Sequence, residues 1–408
     1  MFSEIKDRNI WLVNATIAVV GMAYGMAIAI LAVFLNQRGY AESDIGTLAA
    51  WFALGIVCFS LPMGTFIQKI SARRTLVGSI LVYAAMVALF PLVASSFWQA
   101  AVVRFFDGAA SVGIWVSCET IVLSRASVRH KAFVTTLYAI SISIGYVVGP
   151  FLAKGVVAAA NLETVFYVAA IIAVVIAGVV ALRLDPDVEH VVPSGEEAPR
   201  QTPVGSLVWR IKTSCFGTFA YGYFQASVVL FLPLYLIQAK NVEPEQTILI
   251  PGFFALGMLL FSNTAGRLGD RFGHLLLMRV LACLGCVTVL AFVALSNFWL
   301  MGFVIAIAGA TLAAISPISL ALQGVVVEPQ DYARSNAVYN AFYAAGMLLG
   351  PPLSSRIFAD LGGAPMLYHL AALWAAFVVF TIIFARDDPA ARRNPGEPSS
   401  HPAPDAPA

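Results

Sequence analysis

The segment Gly145-Tyr146-Val147-Val148-Gly149-Pro150 recurs as Gly346-Met347-Leu348-Leu349-Gly350-Pro351. The run Phe52-Ala53-Leu54-Gly55 recurs in the same way as Phe254-Ala255-Leu256-Gly257. Further matches at the same offset of 201 or 202 residues are Gln37 with Gln238, Gly64 with Gly266, Gly108 with Gly309 and Tyr138 with Tyr339. Because the matches keep one order and one spacing, the sequence predicts two structural halves that run in the same direction.

The composition is that of a membrane protein. Hydrophobic residues make up 60% of the chain and charged residues 11%, whereas a soluble domain carries about 25% charged residues. The net charge of +2 gives no reason to expect nucleic acid as a partner. We therefore expect a polytopic, all-α protein whose surface lies in a lipid bilayer.

Apolar segments long enough to cross a bilayer recur about twelve times. In the first half they cover about 10–36, 45–68, 75–95, 97–123, 132–158 and 163–183, by the requirement of about 20 residues for each span. In the second half they cover about 207–239, 246–268, 274–295, 297–327, 333–359 and 364–385 by the same requirement.

Two stretches differ in character from these spans. Residues 185–206 are rich in Asp, Glu and Pro, which predicts a solvated linker, and residues 387–408 are rich in Pro, Ala and Ser, which predicts a disordered tail. The predicted domains are an N-terminal six-helix bundle over 1–184 and a C-terminal one over 207–386, joined by that linker.

Lysine and arginine predict the orientation. Most of them, including Arg73, Arg74, Arg125 and Arg129, fall in one set of loops and ends, while the opposite set holds only Arg38, Lys154, Lys240 and Arg356. The positive-inside rule then puts both termini, the linker and the tail in the cytoplasm of a cell whose cytoplasmic (inner) membrane the protein spans. Two parallel six-helix halves are an architecture of secondary transporters, with the solute site between the halves.

The loop after the second span of each half carries a motif. In the second half it reads Gly266-Arg267-Leu268-Gly269-Asp270-Arg271-Phe272-Gly273; in the first half Gln68 and Ser71 replace the acid and the second glycine. With these residues the chain resembles the major facilitator superfamily (MFS) over nearly its whole length. The resemblance implies an MFS fold, and a conformational latch in which Asp270 pairs with Arg334, whereas Gln68 cannot pair as an ion.

The fourth and fifth spans extend the resemblance. Arg104 with Gly108 is similar to an element that the family associates with proton transfer, and Gly145, Gly149 and Pro150 are similar to its proton-antiporter signature. The stretch from Arg104 to Glu119 resembles a poorly characterised bacterial branch of sugar- or drug-transporter-like proteins. The resemblance implies coupling to protons and favours export. We also expect helix kinks at both copies of the glycine–proline segment.

The fourth span holds three ionisable residues, Arg104, Asp107 and Glu119, and such residues inside a membrane are functional candidates by default. On a helix they share one face, about 120° wide, with Ser111, Trp115 and Cys118. Arg104 and Asp107 are one turn apart and can form an ion pair. That pair has either a functional role or a purely structural one. This face should line an aqueous cavity.

Glu119 lies twelve residues beyond Asp107, about 18 Å along the helix, so Arg104 cannot neutralise it. We expect Glu119, with Asp107 as a second candidate, to bind and release a coupling proton. The alternatives are that Glu119 pairs with a loop arginine such as Arg125 or Arg129, or that it contacts the substrate.

Softer polar candidates lie on the spans that line the cavity in this family. They are Tyr24, Ser111, Trp115, Tyr221, Gln225, Ser316 and Gln323. Such residues are individually more often interhelical hydrogen-bonding groups than ligands. Together they predict a partly aromatic cavity of low charge that takes an amphipathic or sugar-like solute.

These features favour a secondary transporter of a small organic solute that functions as a monomer with protons as the coupling ion. Proton-coupled uptake by symport is the alternative to export, and a sensor or scaffold that does not transport is a further one. No constellation of a catalytic triad, a metal site or a phosphate-binding loop occurs in the sequence, so we expect no enzyme activity, metal or cofactor.

Overall fold

The computed structural model describes residues 7–125, 131–186, 202–328 and 331–385, and these form fifteen helices and no strand. The remaining residues, which include most of the predicted linker and the whole predicted tail, lie outside the described part of the chain. Each long helix is predominantly apolar, as contact with lipid requires. An α-helix also satisfies its own backbone hydrogen bonds, which a segment inside a bilayer must do.

The first half contains six long helices. They are α1 (Arg8–Gln37), α2 (Glu42–Ile70), α3 (Ala72–Val93), α4 (Phe97–Arg125), α5 (Lys131–Ala159) and α6 (Leu162–Arg183). Each overlaps one of the six segments predicted for this half. Side-chain caps start several of them, for example Asp7 at α1 and Asn161 at α6.

The second half adds two short helices and one broken span. The helices are α7 (Val204–Arg210), α8 (Lys212–Lys240), α9 (Pro244–Thr247), α10 (Ile250–Phe272), α11 (His274–Ala294), α12 (Phe298–Leu312), α13 (Ile315–Val326), α14 (Tyr332–Leu361) and α15 (Gly363–Ile383). The single span predicted over 297–327 is divided between α12 and α13. Pro317 explains the break, because it has no N–H to donate to the carbonyl of Ala313, four residues earlier.

Eleven helical segments in the described residues are long and apolar enough to cross a membrane, against about twelve predicted. Helix α14 has the length, 30 residues, but carries Arg334, Arg356 and Asp360 together with Pro351 and Pro352. It packs between α8 and α2, in the seam between the halves, where a helix needs less apolar surface than one surrounded by lipid. A twelfth span therefore stays a prediction.

The repeated glycine–proline segments bring two pairs of helices into close contact. A Cβ at Gly145 would lie 2.3 Å from the carbonyl oxygen of Ala18, so α5 approaches α1 as closely as backbone allows. A Cβ at Gly346 would lie 2.2 Å from the carbonyl oxygen of Phe219, and α14 approaches α8 in the same way. Gly149 and Gly350 make the next close approach one turn on, while the kinks at Pro150 and Pro351 stay predictions.

The bundle has two ends. We call the end with Arg8, Arg183 and the edges of the linker the linker face, and the opposite end the far face. The halves meet at the far face, where Gln238 donates to Glu42 at 2.8 Å and Phe151 packs edge-on against Phe253. Also there, a Cβ at Gly46 would lie 2.7 Å from the carbonyl oxygen of Pro351. The far face is thus closed.

Candidate functional site

A central cavity of about 110 Å³ lies between the halves and is bounded by α1, α2, α4, α5, α8, α10 and α14. Its walls are mainly apolar and aromatic, with Tyr24, Trp115, Tyr146 and Tyr343 as the large aromatic residues. In the described part of the chain, Arg104 is the one charged residue that lines it. The cavity has room for several waters or a small solute.

Arg104 forms a buried ion pair on α4. Its Nη1 donates to Asp107 Oδ2 at 2.5 Å, and the two residues are 8% and 5% exposed. The guanidinium also lies 4.3 Å from the centre of the Phe52 ring on α2, within the range of a cation–π contact. The i, i+3 spacing on one helix face accounts for the pairing.

A second, smaller cavity lies behind this pair. This side chamber, about 20 Å³, is lined by Tyr24 of α1, Tyr83 of α3, and both Arg104 and Asp107. Asp107 lines the side chamber and not the central cavity, whereas Arg104 lines both.

Three polar atoms around the side chamber are buried without a hydrogen-bond partner among the described residues: Asp107 Oδ1, Arg104 Nε and Tyr83 Oη. Buried polar groups in proteins are normally paired with protein or water. The chamber has the volume and the number of partners that one bound water requires.

Glu119 has a different environment from Asp107. It is exposed, it lines neither cavity, and it makes no ion pair with a described residue. Arg125, one of the predicted alternative partners, instead pairs with Asp7 at 3.5 Å and donates to the carbonyl of Pro186 at 2.6 Å. The other, Arg129, lies outside the described residues.

The structure divides the predicted cavity residues into two groups. Tyr24, Trp115 and Gln225 line the central cavity. The others make interhelical or local contacts: Ser111 donates to the Asp107 carbonyl, Tyr221 stacks on Tyr343, Ser316 bonds to Tyr339, and Gln323 donates to Ser335.

Sequence reasoning missed Tyr146, Tyr343 and Met347, which come from α5 and α14. The sequence repeat could have identified two of them, since Tyr146 and Met347 directly follow the first glycine of each repeated segment. Tyr343 donates to Gln225 Oε1 at 2.9 Å, which leaves the amide N–H groups of Gln225 to the cavity.

The latch motif is only partly described. The side chain of Asp270 lies outside the described residues, so the predicted pair of Asp270 with Arg334 stays a prediction. Arg334 donates to the Thr202 carbonyl at 2.8 Å, and Arg271 stacks on Phe272. Gly273 ends α10 with a φ of 94°, and Ser71 takes a φ of 104° at the same place in the first half.

Comparison with known proteins agrees with this architecture. The sequence model of the Major Facilitator Superfamily matches residues 13–213 and again 214–407. The chain is 21% identical to the uncharacterized MFS-type transporter YfkF of Bacillus subtilis, over 89% of this chain and 93% of that protein. It is 22% identical to the uncharacterized MFS-type transporter YcaD of Escherichia coli, over 90% and 93%.

A solved structure has a similar fold. The chain superposes on a bacterial homolog of the human lysosomal transporter Spinster, in an inward-facing and occupied conformation, with a TM-score of 0.76 and 12% identity. The match covers 95% of this chain and 98% of that one. With its two consecutive family matches and its helical membrane fold, the chain belongs to the Major Facilitator Superfamily and is a multi-pass membrane transporter.

Proposed function

We propose that this transporter is a proton-coupled secondary carrier of a small organic solute, which binds in the central cavity. The cavity lies in the seam between the two halves, where alternating access to the two sides of the membrane takes place in carriers of this kind. Its apolar and aromatic walls with few polar groups are typical of sites for small organic molecules.

The orientation follows from charge. With the linker face in the cytoplasm, as the positive-inside rule predicts, the closed far face lies on the outer side of the membrane. The bacterial relatives support a location in the cytoplasmic (inner) membrane.

Asp107 is the group that we propose carries the proton, and one observation supports this: a buried carboxylate with one oxygen paired to Arg104 and the other unpaired beside the side chamber. Adding a proton to this carboxylate removes a charge from the membrane interior, so its protonation state affects the energy of the whole conformation. Glu119 lines neither cavity and makes no ion pair with a described residue, so its protonation is not linked directly to Arg104 or to the solute site.

Export, which the sequence favours, stays a prediction. Its main support was the segment at Gly145, Gly149 and Pro150, yet both halves use that segment for close helix packing. A feature shared by both halves carries no information about direction. Uptake by symport is favoured by a separate observation. Arg104 lies between the two cavities, so it can contact both Asp107 and a solute in the central cavity.

The proposal is tested in two steps. Purified protein is first screened for thermal stabilisation by sugars, amphipathic drugs and metabolites, because a ligand that binds the folded state raises the melting temperature. Each stabilising compound is then measured for transport into reconstituted vesicles with and without an imposed pH gradient. We expect the gradient to drive accumulation; transport that ignores the gradient for every stabilising compound would contradict proton coupling.

Two matched variants separate the candidate carboxylates. Asp107→Asn keeps the shape of the side chain but cannot ionise, and we expect it to abolish accumulation driven by the gradient while leaving solute exchange intact. Glu119→Gln is the same change at the exposed site, and we expect it to keep most of the coupling. The reverse result would assign the proton to Glu119.

A further inference from the structure

The central cavity has one cationic group, one amide and several tyrosine hydroxyls, which can donate or accept hydrogen bonds. Arg104 contributes a guanidinium, and Gln225 presents amide N–H groups because its oxygen already accepts from Tyr343. The described residues that line the cavity include no carboxylate. A site with a cation, further donors and aromatic walls matches a solute with one anionic group on an apolar body.

The charge on Arg104 restricts what can happen in the site. A guanidinium is always charged, and an uncompensated charge in the membrane interior is costly. Arg104 therefore needs one anion beside it at every stage. In the structure that anion is Asp107, which lines the side chamber. Arg104 also lines the central cavity, where a solute would bind.

We propose that the substrate is an amphipathic organic monoanion that binds Arg104, and that it binds together with the proton that neutralises Asp107. This inference rests on the proposed function, since it names the substrate class for the same cavity. Protonated Asp107 no longer compensates Arg104, and the anion of the solute takes over that role. Proton and anion thus favour each other's binding, and the coupling is reciprocal.

Among the described residues that line the side chamber, Arg104 is the charged group that faces Asp107. Helix α1 contributes Tyr24, α3 contributes Tyr83, and α6 contributes only Phe166, while α4 carries Arg104 itself. Phe52 of α2 covers the guanidinium. Tyrosines remain neutral near pH 7, so the Asp107 carboxylate is the group that titrates between the empty and loaded states.

The charge count also fixes the kind of transport. The empty site contains Arg104 and ionised Asp107, with no net charge; the loaded site contains Arg104, neutral Asp107 and a monoanion, again with no net charge. One anion and one proton then cross together in the same direction. This is electroneutral symport, so an inward pH gradient drives uptake, in contrast to the export expected from the sequence.

Benzenesulfonate is a suitable probe because it stays a monoanion over the whole range from pH 5 to pH 8 and has no neutral form that leaks through lipid. Benzenesulfonamide is its neutral counterpart. We expect benzenesulfonate, and not the sulfonamide, to stabilise the purified protein and to bind more tightly at lower pH, by up to about tenfold per pH unit for one linked proton. Equal binding of both compounds, or binding of neither at pH 5, would overturn the proposal.

Variants make the test specific. Asp107→Asn imitates the protonated site, so benzenesulfonate should still bind, with its affinity now independent of pH. Arg104→Gln should lose binding, and Arg104→Lys should keep part of it. Arg38 provides the matched control because it also pairs with a carboxylate, Glu163, and stacks on a phenylalanine, Phe34, but lies outside both cavities. Arg38→Gln should bind benzenesulfonate as the wild type does.

Vesicle experiments separate this inference from the proposed function. An inward pH gradient should drive benzenesulfonate uptake, and a membrane potential set by potassium and valinomycin should leave the rate unchanged. Uptake that responds to the potential would overturn electroneutral symport. Uptake of only neutral or cationic solutes under the same gradient would overturn the substrate class and leave proton coupling standing; transport with no response to the gradient would remove both.

Discussion

Arg104 and Arg38 illustrate how position gives similar residues different roles. Both pair with a carboxylate and stack on a phenylalanine ring. Arg38 lies at the far face, where water stabilises its charge and a salt bridge contributes little. Arg104 lies between two cavities inside the bundle. The anion that neutralises its charge, Asp107 or a bound solute, therefore decides which states of the site are accessible.

Ser71 occupies a backbone conformation that glycine normally takes. Its φ of 104° and ψ of 147° place it in a region almost restricted to glycine, with a cost of about 1–3 kcal/mol. We expect Ser71→Gly to raise the free energy of unfolding by about 1 kcal/mol, because glycine at a helix N-cap loses only a few tenths relative to serine. Thermal unfolding in detergent measures the change.

Gly273 is the control for that prediction, since it has a φ of 94° at the corresponding position. Gly273→Ser should destabilise the protein by a similar amount. If Ser71→Gly lowers the melting temperature, the hydrogen bond from the Arg74 N–H to the Ser71 hydroxyl, at 3.3 Å, outweighs the backbone strain.

Asp185 links the end of α6 to the start of α1. The hydrogen bond from Asn9 and the nearby Arg8 hold the pKa of its carboxyl below the ordinary value. A carboxylate with a lowered pKa stabilises the fold above its unfolded pKa, about 4, and loses that contribution as the pH falls through the folded value. We expect Asp185→Asn to lower the melting temperature at pH 6, and we expect its difference from the wild type to shrink as the pH falls below about 4. A difference that stays constant from pH 6 down through this range would contradict this cause.

At the scale of elements, glycine fixes the closest helix pairs. A Cβ at Gly55 would lie 2.0 Å from the Phe105 carbonyl oxygen, and one at Gly108 would lie 2.0 Å from that of Phe52. Helices α2 and α4 therefore touch through two mutual glycine contacts. Gly257 and Gly309 join α10 to α12 in the same way, as the repeat of the sequence requires.

These contacts predict a contrast between two glycines. Gly108→Ala forces α2 and α4 apart and should cost about 2 kcal/mol or more, with a reduced yield of folded protein. Gly64→Ala is the matched control on α2, because a Cβ there meets nothing within 4 Å. Size-exclusion profiles and melting temperatures of both variants test the idea, and equal profiles would contradict it.

The elements show what a sequence can and cannot predict. Eleven spans and the Arg104–Asp107 pair follow from local rules, since apolar length and an i, i+3 spacing act within one helix. Tyr146 and Tyr343 reach the cavity only because α5 and α14 cross α1 and α8 at their glycines. That crossing depends on tertiary packing, so the local pattern alone could not identify these two residues.

At the scale of the molecule, the closed far face is the feature that a transport cycle must change. Gln238 and Glu42 connect the halves there at 2.8 Å. We expect Glu42→Cys with Gln238→Cys, joined by a short bifunctional thiol reagent, to stop transport, because the halves can no longer separate at this face. Each single cysteine variant, treated with the same reagent, controls for the native thiols. Unchanged transport in the joined protein would contradict alternating access.

Proton coupling through Asp107 is tested most directly by the internal pH of vesicles that contain the purified protein, followed with a trapped pH dye while a stabilising solute is added outside. Solute and protons should move together in the wild type, whereas Asp107→Asn should exchange solute with no change in pH. Solute transport by the wild type at constant internal pH would contradict this coupling.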